Sequence, residues 1–164
     1  MIKSVKWFFV VLIISSLLSL SFSKESSVTE KLALGEAVPE LVLCNEAQPL
    51  NLCAAKGSYT LLSFWASYDA ASRERNATLS HAVENDARVK MISVSFDRYR
   101  SVFDAAVRQD KIDATACYLE TEGKNSDIFK RFGLKSGFKN YLVDSEGIIV
   151  AKDITADELA SYMD

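Results

Sequence analysis

Tyr59-Thr60-Leu61-Leu62-Ser63-Phe64-Trp65-Ala66-Ser67-Tyr68-Asp69-Ala70-Ala71-Ser72-Arg73-Glu74 sets two local patterns against each other with almost nothing between them. Tyr59 to Trp65 is a nearly continuous apolar run. Such a run suits a strand buried on both faces, as in the middle of a parallel sheet. From Ala70 to Asp86 the chain holds good helix formers and neither glycine nor proline, which predicts a helix of about four turns.

Working toward the C-terminus, Val89 to Phe96 (VKMISVSF) repeats the buried-strand pattern. Ser101 to Gln109 predicts a helix with Val102, Phe103, Ala106 and Val107 on one face. Ala114 to Leu119 reads as a short extended piece, and Ser126 to Phe132 as a short helix with Ile128, Phe129 and Phe132 turned inward. Tyr141-Leu142-Val143 and Ile148-Ile149-Val150 flank the turn residues Asp144-Ser145-Glu146-Gly147, a hairpin pattern. Thr155-Ala156-Asp157-Glu158 is a capping box that opens a last helix. Toward the N-terminus, Pro39 starts an extended segment through Cys44. Asn45 to Pro49 is turn-like, and Leu50 to Cys53 alternates again, so the two halves predict a loose hairpin. Strand–helix–strand first and an antiparallel hairpin later imply an α/β fold, a mixed sheet with helices on both faces.

The first 23 residues differ from the rest. Lys3 and Lys6 precede Trp7 to Phe22, which carries no charge, and Ser21 and Ser23 are small residues before a possible cut. Residues 1–23 therefore read as a secretory signal peptide. An uncleaved anchor is the rival reading, although the apolar run is shorter than the roughly 20 residues that span hydrocarbon. Contact with a membrane is expected only through this segment. Residues 24–34 read as a polar linker and residues 35–164 as one domain. Apolar residues make up 49% and charged residues 25%, a balance that can bury a core. A formal net charge of −3 leaves no basic patch for nucleic acid. An exported, periplasmic or cell-envelope protein is expected.

Export also governs how the three cysteines read, because disulfides persist in oxidising compartments. Cys44 and Cys53 bracket the first hairpin, as a structural disulfide or as two buried thiols. Cys117 is left over, as an inert core residue or a reactive thiol. No two cysteines have the C-x-x-C spacing, and His81 is the single histidine. A Cys/His metal site is therefore not expected, nor is any cofactor.

The element order, with Leu62-Ser63-Phe64-Trp65-Ala66-Ser67-Tyr68, resembles the exported thioredoxin-like proteins of TlpA/ResA type, relatives of the thiol-specific antioxidant peroxiredoxins. In that family a buried strand leads into W-A-S-W/Y-C-x-x-C and a charged helix. The resemblance runs from Gly35 to Met163. It implies a three-layer thioredoxin-like fold, with a mixed central sheet and an N-terminal β-hairpin. It puts the family's two cysteines on Asp69 and Ser72. The family's cis-proline falls on Phe138, in Gly137-Phe138-Lys139-Asn140-Tyr141-Leu142-Val143-Asp144. Trp65, Tyr68, Asp69 and Phe138 would then line the groove where relatives bind.

Those replacements change the chemistry. Disulfide exchange needs a thiolate to attack a sulfur and a second thiol to resolve the mixed disulfide. A helix N-terminus stabilises that thiolate. Asp69 can hold a charge there but cannot form a mixed disulfide, and Ser72 cannot resolve one. A cis bond before Phe138 would cost roughly 2.5–4 kcal/mol, so a trans bond and a remodelled groove are expected. Asp69 reads as a helix N-cap, as a polar binding spot with Tyr68, or as a catalytic carboxylate with no visible partner base. His81 reads as a surface residue. Tyr99 and Arg100 lie where ligands favour parallel sheets. Arg73, Arg75, Arg98 and Arg100 give that end a positive patch or are simply solvated. Three functions follow: a binding module for an envelope protein or peptide, an atypical oxidoreductase using Cys117 or the Cys44/Cys53 pair, or an inactive subunit beside a redox-active partner.

Overall fold

Thr60 to Trp65 are buried without exception, as expected of a central strand, and this strand, β1 (Tyr59–Trp65), has a neighbour on each side. The computed structural model describes residues 32–43, 50–52 and 58–162. Residues 1–23, read from the sequence as a signal peptide, most of the expected linker, Cys44 and Cys53 lie outside the described residues.

After β1 come α1 (Ala70–Val83), β2 (Val89–Ser95) and α2 (Arg100–Asp110). The piece expected to be extended from Ala114 begins instead as a 3-10 turn at Ala114–Ala116, capped by the Asp113 carboxylate on the Thr115 amide. Only Cys117–Leu119 forms a strand, β3. Next are α3 (Asp127–Arg131), β4 (Asn140–Val143), β5 (Ile149–Lys152) and α4 (Ala156–Ala160). Thr155 and Glu158 form the capping box reciprocally.

The sheet runs β3-β2-β1-β4-β5. β1, β2 and β3 are parallel, while β4 lies antiparallel to β1 and β5 antiparallel to β4. This is the mixed α/β sheet read from the sequence. Period-two alternation sends Leu61 and Trp65 to one face and Leu62 and Phe64 to the other. Leu61 packs with Leu79, Val83 and Leu159, and Trp65 with Phe103 and Val107, so α1, α2 and α4 cover the first face. Leu62 and Phe64 pack with Leu41, Ile128, Phe129 and Phe132, so α3 and the N-terminal segment cover the second.

Residues 35–38 do more than begin a hairpin. The Gly35 amide donates to the Ile149 carbonyl at 2.8 Å, the Ile149 amide to Glu36 at 2.9 Å, and the Val38 amide to Gly147 at 2.8 Å. The segment thus covers the outer edge of β5, which would otherwise expose unpaired backbone. Across the predicted first turn, Leu41 and Leu50 form an isolated antiparallel bridge. Among the described residues no peptide bond is cis.

Candidate functional site

β1 ends at Trp65, and Ala66-Ser67-Tyr68-Asp69 turns the chain into α1. The turn closes on itself. The Asp69 carboxylate accepts from the Ser72 amide at 2.8 Å, the Ser72 hydroxyl donates to the Asp69 carbonyl at 3.1 Å, and the Ala66 amide donates to the Ser72 hydroxyl at 3.4 Å. Asp69 is therefore an N-cap, and Ser72 is a buried hydroxyl that ties the helix start to the strand end.

Beneath this turn lies Asp97, a residue the sequence reading passed over. It is 2% exposed. Its carboxylate accepts from the Ser67 hydroxyl at 2.6 Å, the Ser67 amide at 3.1 Å and the Ser95 hydroxyl at 2.8 Å. The signal was present in the sequence, since an acid directly after a buried strand sits at the carboxyl end of a parallel sheet.

Trp65 does not line a groove. It is fully buried, its indole N–H donates to the Ser93 hydroxyl at 2.8 Å, and that hydroxyl donates to the Asn76 side-chain oxygen at 2.9 Å. As the last residue of β1, Trp65 faces the core helices by alternation, so it supports the site from below.

Tyr68 is 70% exposed, and its ring centroid stands 6.3 Å from that of Phe138. Burial of the hydroxyl end, then the charges of Asp97 and Asp69, hold the phenol above its ordinary pKa. Phe138 turns inward. It stacks on Phe96 at 5.6 Å and 28° and meets Phe129 edge-on at 6.3 Å. The Arg75 guanidinium donates to its carbonyl at 2.7 Å. Phe138 therefore fills the space beside the helix start, leaving an exposed aromatic step of Tyr68 upon Phe138.

The arginines do not pool into a positive patch. Arg73 makes two 2.7 Å hydrogen bonds to the Asp110 carboxylate, and Arg100 pairs with Asp104 at 3.0 Å. Arg98 lies over the Tyr99 ring, 5.6 Å from its centroid. His81, on the exposed side of α1, reaches the Asp110 carbonyl at 3.0 Å.

Cys117 lies in β3, paired in register with Ser93, and packs into the Trp65–Phe103 cluster. Burial pushes its thiol up to about 11. Among the described residues no group of three or more His, Cys, Asp or Glu side chains could hold a metal ion, and no helix is long and apolar enough to cross a membrane.

A solved thioredoxin-like protein from Parabacteroides distasonis is 36% identical to this chain, covering 79% of it and 93% of its own length, with a TM-score of 0.72. This chain belongs to the thioredoxin-like family. A thiol-disulfide oxidoreductase from Bacteroides fragilis is 26% identical, over 78% of this chain and 97% of its own, with a TM-score of 0.62. A thiol:disulfide interchange protein from a Bacteroides species is 25% identical, over 81% and 89%, with a TM-score of 0.65. No family model and no curated protein matches the sequence. The thioredoxin-like fold thus places Asp69-Ala70-Ala71-Ser72, without a sulfur, at the start of the helix that follows its first central strand.

Proposed function

We propose that this thioredoxin-like protein is an exported binding or accessory module of the cell envelope, silent in disulfide exchange at its helix start. It would present Tyr68 and Phe138 to a partner protein or peptide. The observation that carries the reading is the closed Asp69–Ser72 cap: oxygen atoms occupy the helix start and are already hydrogen-bonded to each other's backbone. A carboxylate and a hydroxyl there cannot pass through a mixed disulfide. The inward Phe138 supports the same reading, because it fills space beside the helix start that a substrate would need. Export rests on the N-terminal sequence pattern.

The competing oxidoreductase would have to use Cys117 or the Cys44/Cys53 pair. Burial of Cys117, with its thiol pushed up to about 11, leaves little thiolate at neutral pH. The test is dithiothreitol-dependent reduction of insulin disulfides by the purified protein, beside Cys117→Ser and the Asp69→Cys/Ser72→Cys double variant. Background turnover in the parent is expected. Clear parental turnover that disappears with Cys117→Ser would replace this reading with a relocated thiol. Parental turnover that survives Cys117→Ser would point to Cys44 and Cys53.

A further inference from the structure

We infer that the rim beside the start of α2 is a second half of the partner-binding surface, and that it takes a peptide segment in which a carboxylate lies close to an apolar side chain. Arg98 meets the carboxylate, and the hollow between α1 and α2 takes the apolar group. This names the chemistry of the partner and rests on the reading of a binding module.

Val102 carries the apolar half. The sequence pattern groups it with Phe103, Ala106 and Val107, yet those three are buried and Val102 is 43% exposed. Ala105, one turn further along, is exposed as well. The two line a hollow of about 340 Å³ that Ser67 and Arg73 border from the α1 side. Tyr99, the N-cap residue of the same helix, is 61% exposed. Apolar groups gathered at one place on a surface mark a contact site, whereas single ones do not. The hollow lies at the bottom of the range of roughly 300–1,000 Å³ for pockets that enclose a small ligand. Its size suits a side chain reaching in from a partner.

The charged half follows from the four cations at this end. Arg73 is neutralised by two 2.7 Å hydrogen bonds to Asp110, and it donates a third to the Gln109 side chain at 3.0 Å. Arg100 pairs with Asp104 at 3.0 Å, and Arg75 donates to the Phe138 carbonyl at 2.7 Å. Asp97, next to Arg98 in sequence, is turned inward and accepts from Ser67 and Ser95. Arg98 alone keeps its charge for another molecule. It is exposed, it enters none of the ion pairs among the described residues, and its guanidinium lies over the Tyr99 ring, 5.6 Å from the centroid. A guanidinium resting on an aromatic face keeps its N–H edge available, and that planar fork matches a carboxylate. An exposed ion pair by itself contributes little. The carboxylate therefore sets orientation while the apolar side chain in the hollow supplies affinity, which is why the partner must carry both close together. Arginine and tyrosine are also the side chains that most often dominate protein interfaces.

A displayed library of random peptides is panned on the purified full chain, and the enriched peptides are measured by isothermal titration calorimetry. The expected consensus is an Asp or Glu within a few residues of a large aliphatic or aromatic side chain. Arg98→Ala and Val102→Ser should each weaken binding about tenfold or more. Arg98→Glu should abolish it, and exchanging the peptide's acid for Lys should restore binding to that variant. Both positions are exposed, so the circular dichroism of the variants should match the parent, and the exchange on the peptide side leaves the protein's fold untouched. A library that enriches nothing, peptides without a shared acid, or affinities unmoved by Arg98→Glu would overturn the inference. So would a dimer in sedimentation that Val102→Asp dissolves, because the face then takes a second copy of this chain. Peptides lost in Tyr68→Ala but intact in Arg98→Glu overturn it and leave the binding-module reading standing. Insulin turnover by the parent defeats that reading whatever the panning yields, so the two failures are distinguishable.

Discussion

At the carboxyl ends of β1 and β2, Ser67, Asp69, Ser72 and Asp97 bond mainly to one another, and a hollow of only about 340 Å³ lies beside them against Val102, Ala105 and Arg73. At the opposite end, a cleft of about 540 Å³ opens between the end of α1, the start of β2 and the turn before β3. His81, Glu84, Asp86, Lys111 and Asp113 line it, yet its acids are tied locally, as in the 2.7 Å contact of Asp86 with Arg88 and the Asp113 cap on Thr115. Burial, rather than volume, separates the two ends: Ser72 and Asp97 are enclosed beneath the turn into α1. The larger cleft has space but only exposed, locally satisfied charges, which contribute little.

Five measurements break or sharpen that contrast, from the largest expected effect to the smallest. Trp65→Ala should destabilise the protein by about 3–5 kcal/mol in urea denaturation, since it empties a fully buried site and frees the Ser93 hydroxyl. A loss below about 1 kcal/mol would mean that the floor of the carboxyl end is not rigid. Cys117, midway between the two ends, should be alkylated at neutral pH about a hundredfold more slowly than an ordinary thiol near 9, because its own value is about 11. The sign for stability follows. The folded state holds this proton more tightly than the unfolded chain, so the contribution is complete below about 9 and is lost as pH rises toward 11. The same fall in stability across that window in Cys117→Ser as in the parent would contradict this.

Phe138→Ala should cost about 1–2 kcal/mol, less than for a fully buried ring, and should open the space beside Tyr68. Increased accessibility of Phe96 and Phe129 to hydrogen exchange would accompany it. Asp69→Ala removes one cap on α1 and should cost about 1 kcal/mol in the same denaturation assay. At the amino end, Lys111 ends α2 with a left-handed φ of 54°. Lys111→Gly should therefore stabilise by about 0.5–1 kcal/mol in thermal melts, since glycine adopts that backbone without strain. A large loss there would give the amino-end cleft a structural weight that its exposed charges do not suggest.

Much of this was legible in advance, and for identifiable reasons. The nearly continuous apolar run Tyr59–Trp65 and the stretch of helix formers free of glycine and proline after it produced β1 and α1, because a strand buried on both faces and a helix draw on different residue types. Thr155 and Glu158 showed the last helix through a local motif that needs no tertiary partner. Phe138 was readable as a replacement, but not as a filler of space, because the direction of its ring depends on Phe96 and Phe129, which lie far away in sequence. Arg73 and Arg75 looked like surface charge for the same reason. Their partners, Asp110 and the Phe138 carbonyl, are brought close only by packing α1 against α2 and against the loop before β4.

By itself the sequence determined the alternation of strands and helices, the absence of a C-x-x-C pair and the oxygen-bearing residues at the start of the first helix. These are properties of neighbouring residues, and neighbouring residues set backbone propensity, capping and the inventory of reactive groups. Only the tertiary structure decided that Trp65 lies beneath the site, that Phe138 turns inward and that Asp97 is the buried carboxyl group holding Ser67. Burial and hydrogen-bond partnership are fixed by which strands lie side by side, and in the β3-β2-β1-β4-β5 order those neighbours are separated by tens of residues of chain.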